Sequence, residues 1–317
     1  MTGTAVTYEV LTIGRVGVDI YPLQSGVGLA EVETFAKFLG GSATNVAVAA
    51  ARHRRRAAVI TRTGEDPFGE YVHRALRDFN VDDAFVHAVP GLPTPVTFCE
   101  IFPPDHFPIW FYRYPKAPDL EITAAELPMP DIRTASLYWA TVTGLSCEPS
   151  RAAHFAAWQA RDRSPFTVLD LDYRPSFWPS REAARGQVRA ALPYVNVAVG
   201  NLDECETAVG ATDAHEAADA LLDYGVELAI VKQGPAGVYA RTRSEEVTVP
   251  PVTVDVVNGI GAGDGFGGAL CHGLLAGWPL ERTIRFANAA GAIVTTKLEC
   301  SSAMPTTAEV EQFLAGP

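Results

Sequence analysis

The sequence is short of positive charge and of paired cysteines. It holds 25 Lys and Arg residues against 37 Asp and Glu, a formal net charge of −12. This deficit argues against binding to nucleic acid or to a membrane surface through general electrostatic attraction. The one basic cluster, residues 52–56, is typical of a solvated helix end.

Sulfur motifs and long apolar runs are also scarce. The five cysteines show no CxxC or Cys/His spacing, which predicts reduced thiols in a cytoplasmic protein and neither a disulfide frame nor a zinc site. Residues 1–9 lack the basic and apolar regions of a signal peptide. The longest run of small and apolar residues, 45–51, is too short to span a membrane.

Hydrophobic residues make up 48% of the 317-residue chain, which is enough for one large α/β domain. Strand patterns, glycine turns and helical patterns alternate, as in the strand 57–61 and the helix 68–79. This alternation predicts a parallel sheet with crossover helices in a single domain over residues 1–317.

Residues 95–114 break this alternation. Two extended stretches flank a Pro-rich turn with no helix between them, so we expect them to pair antiparallel. Four aromatic rings lie between Phe107 and Tyr112. They favour a lid over an active site or a dimer contact, with a plain edge hairpin as the alternative.

The most informative stretch is Asn258-Gly-Ile-Gly-Ala-Gly-Asp264, which precedes an apolar helical pattern. A glycine turn that opens a helix directs several N–H groups at one point, so residues 261–264 predict an anion hole. Asp264 at its mouth could take a proton from an attacking hydroxyl, which is the equipment of phosphoryl transfer to an alcohol. An ordinary Gly-rich turn capped by Asp is the alternative.

Three polar segments follow predicted strands. Asn201 and Glu204 could hold a hydrated Mg²⁺ and its phosphates, or could form a helix capping box. Residues 232–237 form a turn whose backbone could approach a nucleotide. Arg174 could clamp a substrate carboxylate, or could make a structural pair with an Asp.

These motifs resemble those of a known family. Residues 40–45 with the Ala-rich helix after them, and residues 64–69, resemble the N-terminal signature of the ribokinase/PfkB sugar kinases. Residues 261–264 resemble the C-terminal signature, and 201–204 the NxxE motif. Their order and spacing agree over nearly the whole chain, and several motifs in order are more specific than any one alone.

The resemblance implies a ribokinase-like three-layer α/β sandwich with a mostly parallel central sheet and a small β lid from about residues 15–38 and 94–116. It implies a kinase that uses ATP and Mg²⁺. The implied residues are Asp264 as base with Gly261, Ala262 and Gly263 as anion hole; Asp19, Gly41, Asn45, Arg113, Asp172 and Arg174 for the sugar; and Asn201, Glu204 (to Mg²⁺ through water), Lys232, Gly234, Gly237 and Asn288 for the nucleotide.

The identity of the sugar is less strongly indicated. Arg113 and Arg174 resemble the acidic-sugar branch of the family, and residues 107–113, 169–178 and 300–305 resemble a group in that branch that acts in inositol catabolism. A six-carbon keto acid phosphorylated on its 6-hydroxyl is therefore expected. Kinases of 2-keto-3-deoxygluconate, of neutral ketoses or of nucleosides, and a non-catalytic sugar-binding protein, are the alternatives.

Two departures from the family pattern matter. Asp172 stands where the acidic-sugar branch often has Asn. Asn258-Gly259 stand where relatives usually have Asp-Thr, with Asp255 three residues earlier, and a neutral amide binds K⁺ less strongly than a carboxylate. Activation by K⁺ is therefore left open. The family's lid is often also a dimer surface, which leaves both a homodimer and a monomer open.

Overall fold

Short apolar runs form the strands of the protein, in a computed structural model that describes residues 7–316. Residues 1–6, which belong to the segment considered for a signal peptide, and residue 317 lie outside the described residues. The strands are, in chain order, β1 Val10–Ile13, β2 Gly17–Pro22, β3 Phe35–Gly40, β4 Ala57–Gly64, β5 Val81–Asp82, β6 Val86–Val89, β7 Val96–Cys99, β8 Ile109–Tyr112, β9 Leu137–Thr141, β10 Thr167–Asp170, β11 Val197–Asn201, β12 Leu228–Lys232, β13 Val238–Arg241 and β14 Glu246–Val249.

The helices lie where the apolar residues recur with helical spacing. They are α1 Ser42–Arg52, α2 Pro67–Asp78, α3 Met129–Thr134, α4 Ser150–Arg161, α5 Arg181–Ala191, α6 Leu202–Val209, α7 Ala214–Asp223, α8 Ala262–Leu275, α9 Leu280–Thr295 and α10 Thr307–Ala315. None of them, within residues 7–316, has the length and apolarity needed to cross a membrane. All five cysteines are free thiols.

The large sheet is mostly parallel, as predicted. Its order is β14-β13-β12-β11-β10-β9-β1-β4-β5, and β6 also pairs with β4. Only the pairs β12–β13 and β13–β14 are antiparallel. The carboxyl ends of β1, β9, β10, β11 and β12 therefore meet along one edge, which is where ligands bind in open α/β sheets.

Two apolar cores cover the two faces of this sheet. Along β1, Val10 packs into one core, whereas Leu11 and Ile13 pack into the other, as the alternation of side chains in a strand requires. Helices α1, α2, α8, α9 and α10 contribute to the first core, and α3 to α7 to the second. The three-layer sandwich expected from the sequence is confirmed.

A second sheet has four strands in the order β3-β2-β7-β8. The antiparallel pairing of β7 with β8 confirms the hairpin prediction, while β2 pairs with β3 antiparallel and with β7 parallel. Side chains of β8 alternate: Ile109 and Phe111 line a cavity next to the large sheet, whereas Trp110 and Tyr112 are exposed on the other face. The second sheet therefore has an inner and an outer face.

Helices α1 and α8 pack closely because α8 has glycines at the contact. A Cβ added to Gly268 would overlap the Cβ of Ala49 and lie 2.8 Å from the backbone N of Ala50. In contrast, Gly186 in the middle of α5 is exposed, and a Cβ there would meet nothing within 4 Å.

We predict opposite effects of alanine at these two glycines. Gly268→Ala should lower the free energy of unfolding by about 1–3 kcal/mol, because the added methyl overpacks the interface between α1 and α8. Gly186→Ala should raise it by about 0.5–1 kcal/mol, because alanine is the better helix former. Urea denaturation of both variants measures the difference, and equal shifts of the midpoint would contradict this account of the interface.

Candidate active site

A cavity of about 730 Å³ lies between the carboxyl ends of the large sheet and the inner face of the second sheet. Most of the residues singled out in the sequence line it, although they are far apart in the chain. These are Asp19, Gly41, Asn45, Asp172, Arg174, Asn201, Glu204, Lys232, Gly234, Gly261, Gly263 and Asp264.

The glycine turn before α8 forms one wall of the cavity. Gly261 is the N-cap, with φ +88°, and a Cβ there would lie 2.6 Å from Cys300 Sγ, so this position requires glycine. Intrahelical bonding begins with the N–H groups of Asp264 and Gly265, which donate to Gly261 O. No side chain in the described part of the chain caps α8, so the first N–H groups of the helix, those of Ala262 and Gly263, remain available to an anion.

Asp264 stands in the first turn of α8 and is held by one amide. Asn45 Nδ2 donates to Asp264 Oδ2 at 2.8 Å, and Ser301 Oγ lies 2.6 Å from Asn45 Oδ1. Burial raises the pKa of Asp264 to about 6, assisted by the charge of Asp172 and opposed by the hydrogen bond from Asn45. A carboxyl with this pKa is ionised at neutral pH but is still able to accept a proton, which is what a general base requires.

Asp19 and Gly41 are brought to the same end of the cavity by β2 and by the start of α1. Tyr21 donates its hydroxyl to Asp19 Oδ2 at 2.8 Å. Burial raises the pKa of Asp19 to about 6, against the hydrogen bond from Tyr21 and the charge of Arg15. Gly41 has φ +102°, and a Cβ there would overlap the carbonyl of Arg15. The backbone at Gly41 therefore packs directly against the backbone at Arg15, which only glycine permits.

Asp172, just after β10, is the most heavily bonded acid of the cavity. Arg174 Nε lies 2.9 Å from its Oδ1, while Arg15 Nη2 and Ser42 Oγ donate to its Oδ2 at 3.2 and 2.7 Å. Burial alone would raise the pKa of Asp172, but the two guanidinium groups and the hydroxyl hold it well below its usual range. Arg174 therefore makes the structural pair considered as an alternative, and it also lines the cavity.

Asn201 and Glu204 form the reciprocal capping box considered as an alternative, and they also line the cavity. Asn201 Oδ1 accepts from the N–H of Glu204 at 2.9 Å, and Glu204 Oε2 accepts from the N–H of Asn201 at 2.7 Å. The other carboxylate oxygen of Glu204 makes no hydrogen bond within residues 7–316. With one carboxylate oxygen of Glu204 left, this pair suits a Mg²⁺ ion that keeps its water ligands better than an ion bound directly by several protein oxygens.

Lys232 and Asp170 complete this end of the cavity. Burial alone would lower the pKa of Lys232, but the carboxylates of Glu204, Asp170, Asp264 and Asp172 raise it. Burial raises the pKa of Asp170 well above its usual value, opposed by Lys232. Across the described residues, no group of three or more acidic, His or Cys side chains is arranged to bind a metal ion directly.

Arg113, which the sequence suggested for binding the sugar, is paired with a buried acid in the structure. Its Nη2 donates to both carboxylate oxygens of Asp119 at 2.9 and 2.8 Å, and its guanidinium lies 4.9 Å from the ring of Phe177. Arg113 is not among the residues that line the cavity. The physical reason is Asp119, a buried carboxylate that would lose its ion pair if Arg113 turned toward a substrate.

Gly237 and Asn288 also lie outside the lining of the cavity. Gly237 has φ +89° and a Cβ there would overlap Val249 O, so it is required by the turn into β13. Asn288 Nδ2 donates to Pro250 O at 2.9 Å on the surface. Their predicted contacts with a nucleotide gain no support from these positions. Ala262 does not line the cavity either, but its N–H belongs to the first turn of α8.

Sequence reasoning assigned no role to several residues of the site, among them Arg15, Asp170 and Ser301. Arg15 follows β1 and lines the cavity, Asp170 ends β10, and Ser301 holds Asn45. The signal for Asp170 and Arg15 was available, since both lie at the carboxyl ends of predicted strands. Ser301 could not be found in this way, because its contact with Asn45 spans 256 positions of the chain.

Asn258 stabilises the glycine turn that precedes α8. It is fully buried, its Nδ2 donates to Leu298 O at 2.6 Å and its Oδ1 accepts from the N–H of Ile260 at 3.0 Å. Both polar atoms of the amide are thus used within the chain.

One cavity brings together a buried carboxyl with a raised pKa, N–H groups at a helix N-terminus and the basic side chains of Arg15, Arg174 and Lys232. Such a set of groups is suited to phosphoryl transfer. The fold that positions them is ribokinase-like. The family model described as pfkB family carbohydrate kinase matches residues 8–307. The chain therefore belongs to the PfkB family of carbohydrate kinases, and it is a phosphotransferase with an alcohol group as acceptor.

Curated relatives match nearly the whole chain. A protein of Geobacillus thermodenitrificans (strain NG80-2) named 5-dehydro-2-deoxygluconokinase is 30% identical over 313 residues, which cover 96% of this chain and 93% of the relative. A protein of the same name from Listeria monocytogenes serotype 4b (strain CLIP80459) is 30% identical over 318 residues, or 97% of this chain and 96% of the relative.

Solved structures share the fold at lower identity. A putative ribokinase II of E. coli in complex with ATP and Mg²⁺ is 20% identical, with a TM-score of 0.87 over 97% of this chain and 99% of that one. A double mutant of the fructokinase of Vibrio cholerae O395, with fructose, ADP and potassium ion bound, is 24% identical, with a TM-score of 0.84 over 98% and 100%. These similarities establish the architecture.

The raised pKa of Asp264 predicts a pH-dependent gain of stability when this carboxyl is removed. The folded protein holds the proton up to about pH 6, whereas the unfolded chain releases it near the ordinary aspartate pKa of 3.8. The ionised group therefore weakens the fold increasingly as pH rises between these values. At pH 7.5 Asp264→Asn should be more stable than the wild type by about 1–3 kcal/mol, and at pH 4 the difference should vanish.

Urea denaturation at the two pH values checks this prediction. Glu65→Gln, which changes an exposed carboxyl outside the cavity, is the control and should give little change at either pH. A gain of stability for Asp264→Asn that is as large at pH 4 as at pH 7.5 would contradict the burial of this carboxyl as the cause.

Proposed function

We propose that the protein transfers the γ-phosphate of ATP to the 6-hydroxyl of an acidic keto sugar, 5-dehydro-2-deoxy-D-gluconate. The observation that carries the proposal is that Asp264 and the first turn of α8 share one cavity with Arg15 and Arg174, the two arginines that contact Asp172. The names of the curated relatives support the choice of sugar. A 2-keto-3-deoxygluconate would engage the same residues and is the second candidate.

The residues at one end of the cavity suit a nucleotide with Mg²⁺. Lys232 can pair with phosphate oxygens, Gly234 leaves open space beside them, and Glu204 can reach a hydrated metal ion. Mg²⁺ bound with ATP would neutralise phosphate charge during transfer. The chain's own part is to place these groups beside the N–H groups of Ala262 and Gly263.

The base in this proposal is Asp264. Its Oδ2 is occupied by Asn45, which leaves Oδ1 to accept the proton of the 6-hydroxyl. The hydroxyl oxygen would bond to the γ-phosphorus while the bond from that phosphorus to the bridging oxygen breaks, and ADP would leave with the electron pair of that bond. The N–H groups at the start of α8 would stabilise the negative charge on the transferring group. Asn45 thus acts through Asp264 by fixing the orientation of its carboxylate.

The opposite end of the cavity would bind the rest of the sugar. Asp19 and the amide of Asn45 can exchange hydrogen bonds with sugar hydroxyls, while Gly41 lets the backbone approach. Arg174 would hold the carboxylate of the acid. The second sheet, whose inner side chains Ile109 and Phe111 line the cavity, would act as a lid that excludes water.

Turnover on a panel of acceptors tests this function. We expect ATP consumption with Mg²⁺ to be fastest on 5-dehydro-2-deoxygluconate, slower on 2-keto-3-deoxygluconate, and much slower on fructose, ribose and adenosine, with K⁺ both present and absent. Preference for 2-keto-3-deoxygluconate would change the substrate but keep the mechanism, whereas turnover of neutral sugars alone would overturn the acidic assignment.

The variant Asp264→Asn tests the base. It should lose about 10²–10⁴-fold in kcat while sugar affinity changes only a few-fold. Near-normal turnover of this variant would show that Asp264 is not the base.

We also propose that the outer face of the second sheet binds a second copy of the chain. Trp110 and Tyr112 lie on β8, which is an edge strand, and both are exposed together with Tyr114. Exposed aromatic residues beside an unpaired edge are typical of an interface.

Light scattering tests the dimer and should give twice the mass of one chain. Tyr112→Glu should give the mass of the monomer, whereas Phe313→Ser, which changes an exposed ring on α10, should leave the dimer intact. A monomeric wild type would refute the dimer.

A further inference from the structure

We propose that Arg15, together with Arg174, binds the carboxylate of the acceptor and sets the preference for sugar acids. It would take the role that the sequence suggested for Arg113. The proposal rests on the proposed function, since it names a residue that would recognise that class of substrate. It depends on the position of Arg15, on its unused hydrogen-bonding capacity and on the charge around Asp172.

The backbone at Arg15 is fixed at the floor of the cavity. Arg15 follows β1 at the carboxyl edge of the large sheet and is 8% exposed. Its carbonyl accepts from Thr44 Oγ1 at 3.2 Å, and Gly41 packs directly against it. The backbone that carries the side chain is therefore fixed before a substrate binds, which reduces the conformational entropy lost on binding.

Only some of the N–H donors of the Arg15 guanidinium make hydrogen bonds among the described residues. Nη2 donates to Asp172, Nε is buried with no partner among the described residues, and the group lies 5.5 Å from the ring of Phe111 on the inner face of the second sheet. A guanidinium carries five N–H donors in a planar fork that matches a carboxylate. Arg15 therefore has donors left for a ligand in the cavity.

Two guanidinium groups share Asp172. Those of Arg15 and Arg174 both contact this one carboxylate, which Ser42 also contacts. A carboxylate of the substrate could accept from the N–H donors that Asp172 does not occupy, and the buried location would strengthen the attraction. Arg113 differs, because it is matched one to one with the buried Asp119.

Steady-state kinetics on two acceptors tests the proposal. For Arg15→Gln the ratio of kcat/KM on 5-dehydro-2-deoxygluconate to kcat/KM on fructose should fall by about 30-fold or more, mainly through KM on the acid, because the carboxylate is remote from the reacting 6-hydroxyl. Arg15→Lys, which keeps the charge but not the planar fork, should recover part of the ratio. Arg174→Ala should lower the ratio as well.

Arg113→Gln is the matched control, since it also removes an arginine beside a buried carboxylate. It should lower the midpoint of thermal unfolding but leave the ratio as in the wild type. A ratio that survives Arg15→Gln, or one that falls with Arg113→Gln instead, overturns this proposal alone. If Arg15→Gln does not fold, the ratio for Arg15→Lys decides, and an unchanged ratio there refutes the proposal. A wild type without preference for the acid overturns the proposed function together with this inference.

Discussion

The ion pairs of Asp172 are the interaction on which one part of the cavity, formed by Arg15, Ser42 and Arg174, depends. This one carboxylate joins Arg15 after β1, Ser42 at the start of α1 and Arg174 after β10. A buried carboxylate without partners would be too costly to keep ionised, so the three segments must converge for the charge to be tolerated. The geometry of the site and the packing of these loops are therefore specified by the same contacts.

Much of the fold could be predicted because the signals for it are local. Strand, glycine turn and helix alternate along the chain, and the hairpin of β7 and β8 is marked by the absence of a helix between its strands. Strands β5, β6 and β14 were not recognised, and β2 was expected only through the family resemblance, as part of the lid over about residues 15–38. Strand β5 has only two residues, and β2 is stabilised by partners that are distant in the sequence, so neither shows a strong local period.

The sequence was less informative about which arginine faces the cavity. Arg113 lies on the segment that covers the site, and its position along the chain gives no sign that it is already paired with Asp119. Arg15 lies in a short turn after β1, and its contact with Asp172 depends on the sheet order, in which β9 separates β1 from β10. Position along the chain indicates which residues approach a site, whereas burial and pairing decide which of them remain available to a ligand.

The same cavity holds carboxyl groups of opposite character, and burial alone does not explain the difference. Asp264 and Asp172 are both withdrawn from water, yet the pKa of Asp264 is raised to about 6 while that of Asp172 is held below its usual range. The difference lies in their partners, since Asn45 offers Asp264 one neutral donor and Asp172 receives two guanidinium groups. A neutral partner orients a carboxylate without removing its basicity, whereas cationic partners make it a fixed anchor. Asp264 is thus suited to exchange a proton, and Asp172 is suited to hold the arginines in place.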